Sequence, residues 1–111
     1  MKKIQAIIKP LKLDDVKDKL NEIGIGGLTV SEVKGVGKQG GKAGLFVTAP
    51  SAAGLPKVCL EIAVDDNRVE EVIAAIVQSG SAGRVGDGKI FVTDLEDVIR
   101  VRTGERGPSA I

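Results

Sequence analysis

Two runs of alternating apolar residues, each followed by an amphipathic helical stripe and a further strand-like run, predict an α+β domain with a ferredoxin-like double βαβ plan. The order along the 111 residues is β-α-β, a long glycine-rich stretch, then β-α-β. That order places both helices on one face of an antiparallel sheet. The length supports one domain, 1–111, with a single modest core.

The elements follow in chain order. Residues 2–8 alternate, with Ile4, Ala6 and Ile8 on one face and Lys3, Gln5 and Ile7 on the other, and Pro10 ends the strand. Leu13, Val16, Leu20 and Ile23 recur at helical spacing, with Asp14, Asp15, Lys17, Asp18 and Lys19 outside. The acids of the first turn suit the helix dipole, and Gly24 supplies the stop. Residues 28–34 read as a second strand. The stretch 35–56 has no helical or strand period except around 45–48, and it carries Lys38 and Lys42 without an acid. It is expected to be one long loop, and loops beyond about 12–15 residues in a compact domain are usually functional or disordered. Val58, Leu60, Ile62 and Val64 alternate as a third strand. Asp66 is placed to N-cap a second helix whose stripe is Val69, Val72, Ile73, Ile76 and Val77, with Gly80 at its end. A glycine-rich turn at 83–88 leads to a fourth strand at 89–93. Residues 98–102 are expected to extend that last element, and 103–111 to form a tail.

Composition narrows the function. There are two Phe and no Trp, Tyr or His. That excludes histidine metal ligation, a Ser-His triad and a histidine base, and it leaves no aromatic platform for stacking nucleic-acid bases. Sixteen basic against fifteen acidic residues give a net charge of +1, so bulk charge points to neither DNA nor an anionic membrane. The single cysteine, Cys59, excludes an intrachain disulfide and reads as a filler inside the third strand. The N-terminal apolar run, broken by Gln5, is too short for a signal-peptide core, and the expected location is the cytoplasm.

Three local motifs stand out. Gly35-Val-Gly-Lys-Gln-Gly40 fits G-x-G-x-x-G, but further glycines rather than a helix follow, so a dinucleotide-binding reading fails on context. Gly83-Arg-Val-Gly-Asp-Gly-Lys89 fits the first seven positions of a P-loop. Ile90 stands where a magnesium-holding hydroxyl belongs, and a strand follows instead of a helix. This is no P-loop NTPase, but two readings of the turn remain. It is a tight turn with glycines at positive φ, or a nest of backbone N–H groups that takes an anion beside Lys89. Arg100 and Arg102, two apart on an expected strand, share a face. They pair with Glu96 or Asp97, or they bind phosphate.

In order and spacing, these features resemble the PII signal-transduction proteins. The matching stretches are Met1-Lys-Lys-Ile-Gln-Ala-Ile-Ile-Lys-Pro10, Gly27-Leu-Thr-Val30, Glu32-Val-Lys-Gly35, Gly37-Lys38-Gln39, Leu55-Pro-Lys57, Gly86-Asp-Gly-Lys-Ile-Phe-Val92 and Val98-Ile-Arg-Val-Arg-Thr-Gly-Glu105. The resemblance implies a homotrimer with ATP and ADP competing for three clefts between subunits. Gly86, Asp87, Gly88 and Lys89, within a phosphate loop at about 82–89, would surround the phosphates. Lys38 would add a basic contact, and Arg100 and Arg102 would reach across from the neighbouring subunit. Thr29, Gly35, Gly37, Glu61 and Ala63 would line the adenine and ribose. Gln39 would help hold a magnesium ion that bridges ATP to 2-oxoglutarate, and Lys57 would pair with 2-oxoglutarate. The loop at 35–56 would engage a protein partner, such as a transporter or a nitrogen-metabolism enzyme, which would bring the protein to the membrane in the former case.

The loop departs from the family pattern. It has neither the tyrosine that receives nucleotidyl groups nor the usual acids, so tyrosine uridylylation is excluded. Ala82 replaces a frequent threonine. The expectation is thus a nitrogen-regulatory sensor governed by bound ligands, and not an enzyme, since no residue is placed to activate water. The alternative is a related trimer of the metal-tolerance type, or one that senses another ligand or controls a different membrane transporter. The missing His residues and the lone Cys count against a metal-binding role.

Overall fold

The computed structural model describes residues 1–36 and 54–111. Among the described residues, four strands, β1 (Lys2–Ile8), β2 (Thr29–Gly35), β3 (Leu55–Val64) and β4 (Gly88–Asp94), and two helices, α1 (Leu13–Glu22) and α2 (Val69–Gly80), alternate as β1-α1-β2-β3-α2-β4. The sheet order is β2-β3-β1-β4, and every neighbouring pair is antiparallel. Each helix therefore joins two parallel strands that have a third strand between them, which is the ferredoxin-like double βαβ plan expected from the sequence.

Alternation decides which face is buried. Ile4, Ala6 and Ile8 of β1 lie level with Ile62, Leu60 and Val58 of β3. These residues pack with Val16 and Leu20 of α1 and with Val72, Ala75 and Ile76 of α2 in one cluster. Both helices thus cover the same face. Each fully buried Leu, Ile or Val side chain contributes about 1.5–3 kcal/mol relative to exposure. Gly80 is buried where the two helices meet, and a Cβ on it would lie 3.4 Å from Val16 Cγ2. Gly24 ends α1 as expected, with φ +84 and the Ile25 amide donating to the Leu20 carbonyl at 2.9 Å.

Four expectations need correction. Asp66 does not cap a helix. It opens a 3-10 turn, Asp66–Arg68, that precedes α2, and its carboxylate accepts a 2.8 Å hydrogen bond from the Met1 ammonium. The start of α2 is instead tied down by Arg68, whose guanidinium donates to the Ile23 carbonyl and to Glu71. Val77 lies outside the buried stripe and is half exposed, while Ala75 and Gly80 complete the stripe. The connection between β2 and β3 is shorter than 35–56, because Gly35 closes β2 and Leu55 and Pro56 open β3. Its segment 45–48 lies outside the described residues.

The fourth correction concerns 98–102, which is not a strand. Ile99 forms one isolated bridge with Arg106, and between them the chain turns back, with Gly104 N donating to Arg100 O at 2.7 Å. The tail, too, is structured, ending in a 3-10 turn, Gly107–Ala110.

Candidate functional site

The sequence-predicted residues fall into two groups on this chain. The first gathers at the sheet end where β1 stops, β3 starts and β4 begins. Gly88 lies level with Ile8, which lies level with Val58. Gly35 lies above the Lys57 stem, its Cβ position 3.6 Å from Lys57 Cγ. The Lys57 ammonium donates a 2.8 Å hydrogen bond to the Gly86 carbonyl. Burial, with the nearby Lys9 charge, pushes the Lys57 amine below its ordinary value, against a smaller pull from Asp87. Lys89 lies level with Ile7, on the helix-free face of the sheet.

The turn from Ser81 to Gly88 is built around one carboxylate. Asp87 Oδ2 accepts from the amide of Ala82 at 2.9 Å, the amide of Arg84 at 3.1 Å and the Ser81 hydroxyl at 3.3 Å. Asp87 Oδ1 is buried, accepts no hydrogen bond among the described residues, and has the Lys9 ammonium 3.4 Å away. The two amides, more than the Lys9 charge, hold the Asp87 carboxyl well below the usual carboxylate range, at about 2. Gly83, Gly86 and Gly88 all have positive φ, as both readings of the turn require. Gly88 is the constrained one. At φ +113, a Cβ there would run into the Ile7 carbonyl.

The second group lies further along the sheet. Thr29 pairs with Glu61, and Ala63 lies two residues on. With 24–28, Arg68, Val98, Pro108, Ala110 and Ile111 they border an open cleft of about 520 Å³. The tail is held over this region by Arg100. Its guanidinium pairs with Glu105 at 2.5 Å and donates to the Ser109 carbonyl at 3.1 Å. The expected pairing of Arg100 with Glu96 or Asp97 does not occur. Arg106 takes Asp97 instead, at 2.6 Å, and this holds the Asp97 carboxyl below its usual range. Arg102 is exposed and makes no hydrogen bond or ion pair with the described residues. Gly37, Lys38 and Gln39 lie outside the described residues.

From Lys57 to Glu61 is about 13 Å along β3, at roughly 3.3 Å per residue. The chain alone therefore keeps the glycine turn apart from the Thr29–Glu61 cleft. Sequence reasoning missed Lys9, Ser81 and the tail residues that border the cleft. Nothing near Lys9 in the sequence signals a partner so distant as Asp87. Gly107-Pro108, by contrast, does mark a turn.

A small antiparallel sheet backed by two helices, with a preformed glycine turn at one end and a cleft further along, defines a ferredoxin-like binding domain. The family model described as "Nitrogen regulatory protein P-II" matches residues 1–105. Curated relatives include the nitrogen regulatory protein P-II of Azospirillum brasilense, 54% identical, and P-II 1 of Escherichia coli, 52% identical, each aligned over the full length of both chains. Among solved structures, that of Arabidopsis thaliana PII bound to citrate matches with a TM-score of 0.81 at 41% identity, covering 98% of this chain and 87% of that one. The chain belongs to the PII nitrogen regulatory family, whose members are regulatory signal proteins.

Proposed function

We propose that this protein is a trimeric cytoplasmic sensor that binds ATP and ADP between subunits. It reports the bound state to a protein partner through the connection between β2 and β3. In this reading the glycine turn, Lys57 and Gly35 of one subunit face Thr29, Glu61, Ala63, Arg100 and Arg102 of the next. The observation that carries it is the division of these residues into two groups on one chain, each incomplete as a nucleotide site. A second copy that brings its cleft to the first copy's glycine turn completes the site.

Lys57 and Gln39 receive 2-oxoglutarate together with ATP and magnesium, and Lys38 adds charge to the phosphate side. The partner is a transporter or an enzyme of nitrogen metabolism. With no tyrosine in the chain, control rests on ligands and not on tyrosine uridylylation. ATP and ADP bias the partner-binding connection through their different phosphate contacts, so the signal is a population shift.

Calorimetry with ATP and with ADP, each with and without 2-oxoglutarate and magnesium, tests this reading, together with light scattering for the trimer. The expected result is one nucleotide per subunit, with ATP binding strengthened by 2-oxoglutarate. No binding at millimolar nucleotide, or a monomer in solution, overturns it.

A further inference from the structure

The glycine turn already holds an anion of its own. The Asp87 carboxylate uses the amides of Ala82 and Arg84, and Ser81 Oγ accepts the amide of Gly83 at 3.2 Å. The Asp87 amide donates back to the Arg84 carbonyl at 3.3 Å. Among the described residues, the amides of Val85 and Gly86 have no acceptor. The turn is thus divided into inner amides closed on Asp87 and two amides at its tip.

We propose that Asp87 is a positioning residue for nucleotide phosphates: by taking the inner amides it fixes the turn so that the amides of Val85 and Gly86 receive the phosphate at the tip. This rests on the nucleotide reading above and deepens it. Two lysines make the arrangement compatible with an incoming anion. Lys9 lies 3.4 Å from Asp87 Oδ1, and Lys57 holds the Gly86 carbonyl. Their charges offset the carboxylate that would otherwise repel phosphate, and Lys57 pins the peptide that follows the open Gly86 amide. A carboxylate that accepts amide hydrogen bonds and has a lysine beside it fixes a turn from within, whereas an amide nest without one is left to be organised by its ligand.

The test compares wild type, Asp87→Asn and Asp87→Ala by ATP calorimetry, with amide NMR of residues 82–86. Asp87→Ala is expected to bind ATP at least about tenfold more weakly, with formate restoring part of the loss by refilling the carboxylate position. Asp87→Asn keeps a neutral acceptor and is expected to fall between the two. In both variants the Ala82 and Arg84 amide resonances should move upfield, away from their carboxylate-bonded positions. Should Asp87→Ala fail to fold, Asp87→Asn decides alone. Wild-type ATP affinity in a folded variant overturns the proposal, as do unmoved Ala82 and Arg84 resonances. If wild type itself binds no ATP, the nucleotide reading falls. Moved resonances then still establish Asp87 as the organiser of the turn, and unmoved ones overturn that as well.

Discussion

The ammonium of Lys57 and the carbonyl of Gly86 are joined by a 2.8 Å hydrogen bond across 29 residues of sequence. The bond ties the start of β3 to the glycine turn before β4, and so connects the proposed 2-oxoglutarate lysine to the proposed phosphate loop. An anion that draws Lys57 away releases the Gly86 peptide. One that binds the turn changes what Lys57 is offered.

Lys57→Met tests this link. The substitution keeps the apolar stem and removes the charge and the donor. ATP affinity should fall about tenfold, the scale of one charge-assisted hydrogen bond, and 2-oxoglutarate should no longer strengthen it. Calorimetry of the variant checks both, and unchanged coupling between the two ligands sinks the link.

Asp87 should leave a mark in acid stability. Its carboxyl lies at about 2, below the unfolded value of 3.8, so the unfolded chain binds more protons between those limits. The contribution of the carboxylate is therefore complete above the unfolded pKa and is lost as pH falls through about 2. Thermal melts over that interval should show wild type losing stability more steeply than Asp87→Asn. Parallel curves refute the assignment.

Gly88→Ala combines a left-handed φ with a collision at the Ile7 carbonyl. Strain and overlap together should cost at least about 3 kcal/mol and detach the first rung of β4 from β1. Urea unfolding followed by circular dichroism measures the loss, and a variant as stable as wild type contradicts the backbone geometry.

Gly80 offers a graded test of the helix contact. Alanine gains helix propensity of about 1 kcal/mol and meets Val16 at 3.4 Å, so Gly80→Ala should be within about 1 kcal/mol of wild type. Gly80→Leu has no such room and should cost about 1–3 kcal/mol by overpacking. Equal stability of the two variants contradicts the close approach.

Much of the fold was legible because its core obeys simple periods. Ile4, Ala6 and Ile8 alternate, as do Val58 to Val64, and Val16, Leu20, Val72 and Ile76 keep helical spacing. The failures have local causes. Asp66 looks like a cap, but a 3-10 turn intervenes before α2, and its carboxylate meets the Met1 ammonium, a partner no local pattern reveals. Residues 98–102 alternate like a strand, yet the chain folds back at Gly104, with φ +72, and Arg100 closes on its own tail. The glycine turn was recognisable from its spacing. That Asp87 fills it from within was not, because the spacing of glycines does not say which anion they surround.

The pairing of Gly35 with Leu55 has a wider consequence. The connection leaves and re-enters the sheet on one rung, and Gly54, with φ +88, crosses so close to Gly35 that a Cβ would lie 2.5 Å from its carbonyl oxygen. Both ends are anchored by the frame, so doubling the length between them adds only about 0.6 kcal/mol of closure cost. Such a mount works as an exchangeable cassette. In the proposed reading Gly37, Lys38 and Gln39 serve the ligands, so a foreign recognition segment is best grafted beyond residue 39 and before Gly54, with the sheet frame and the ligand residues kept.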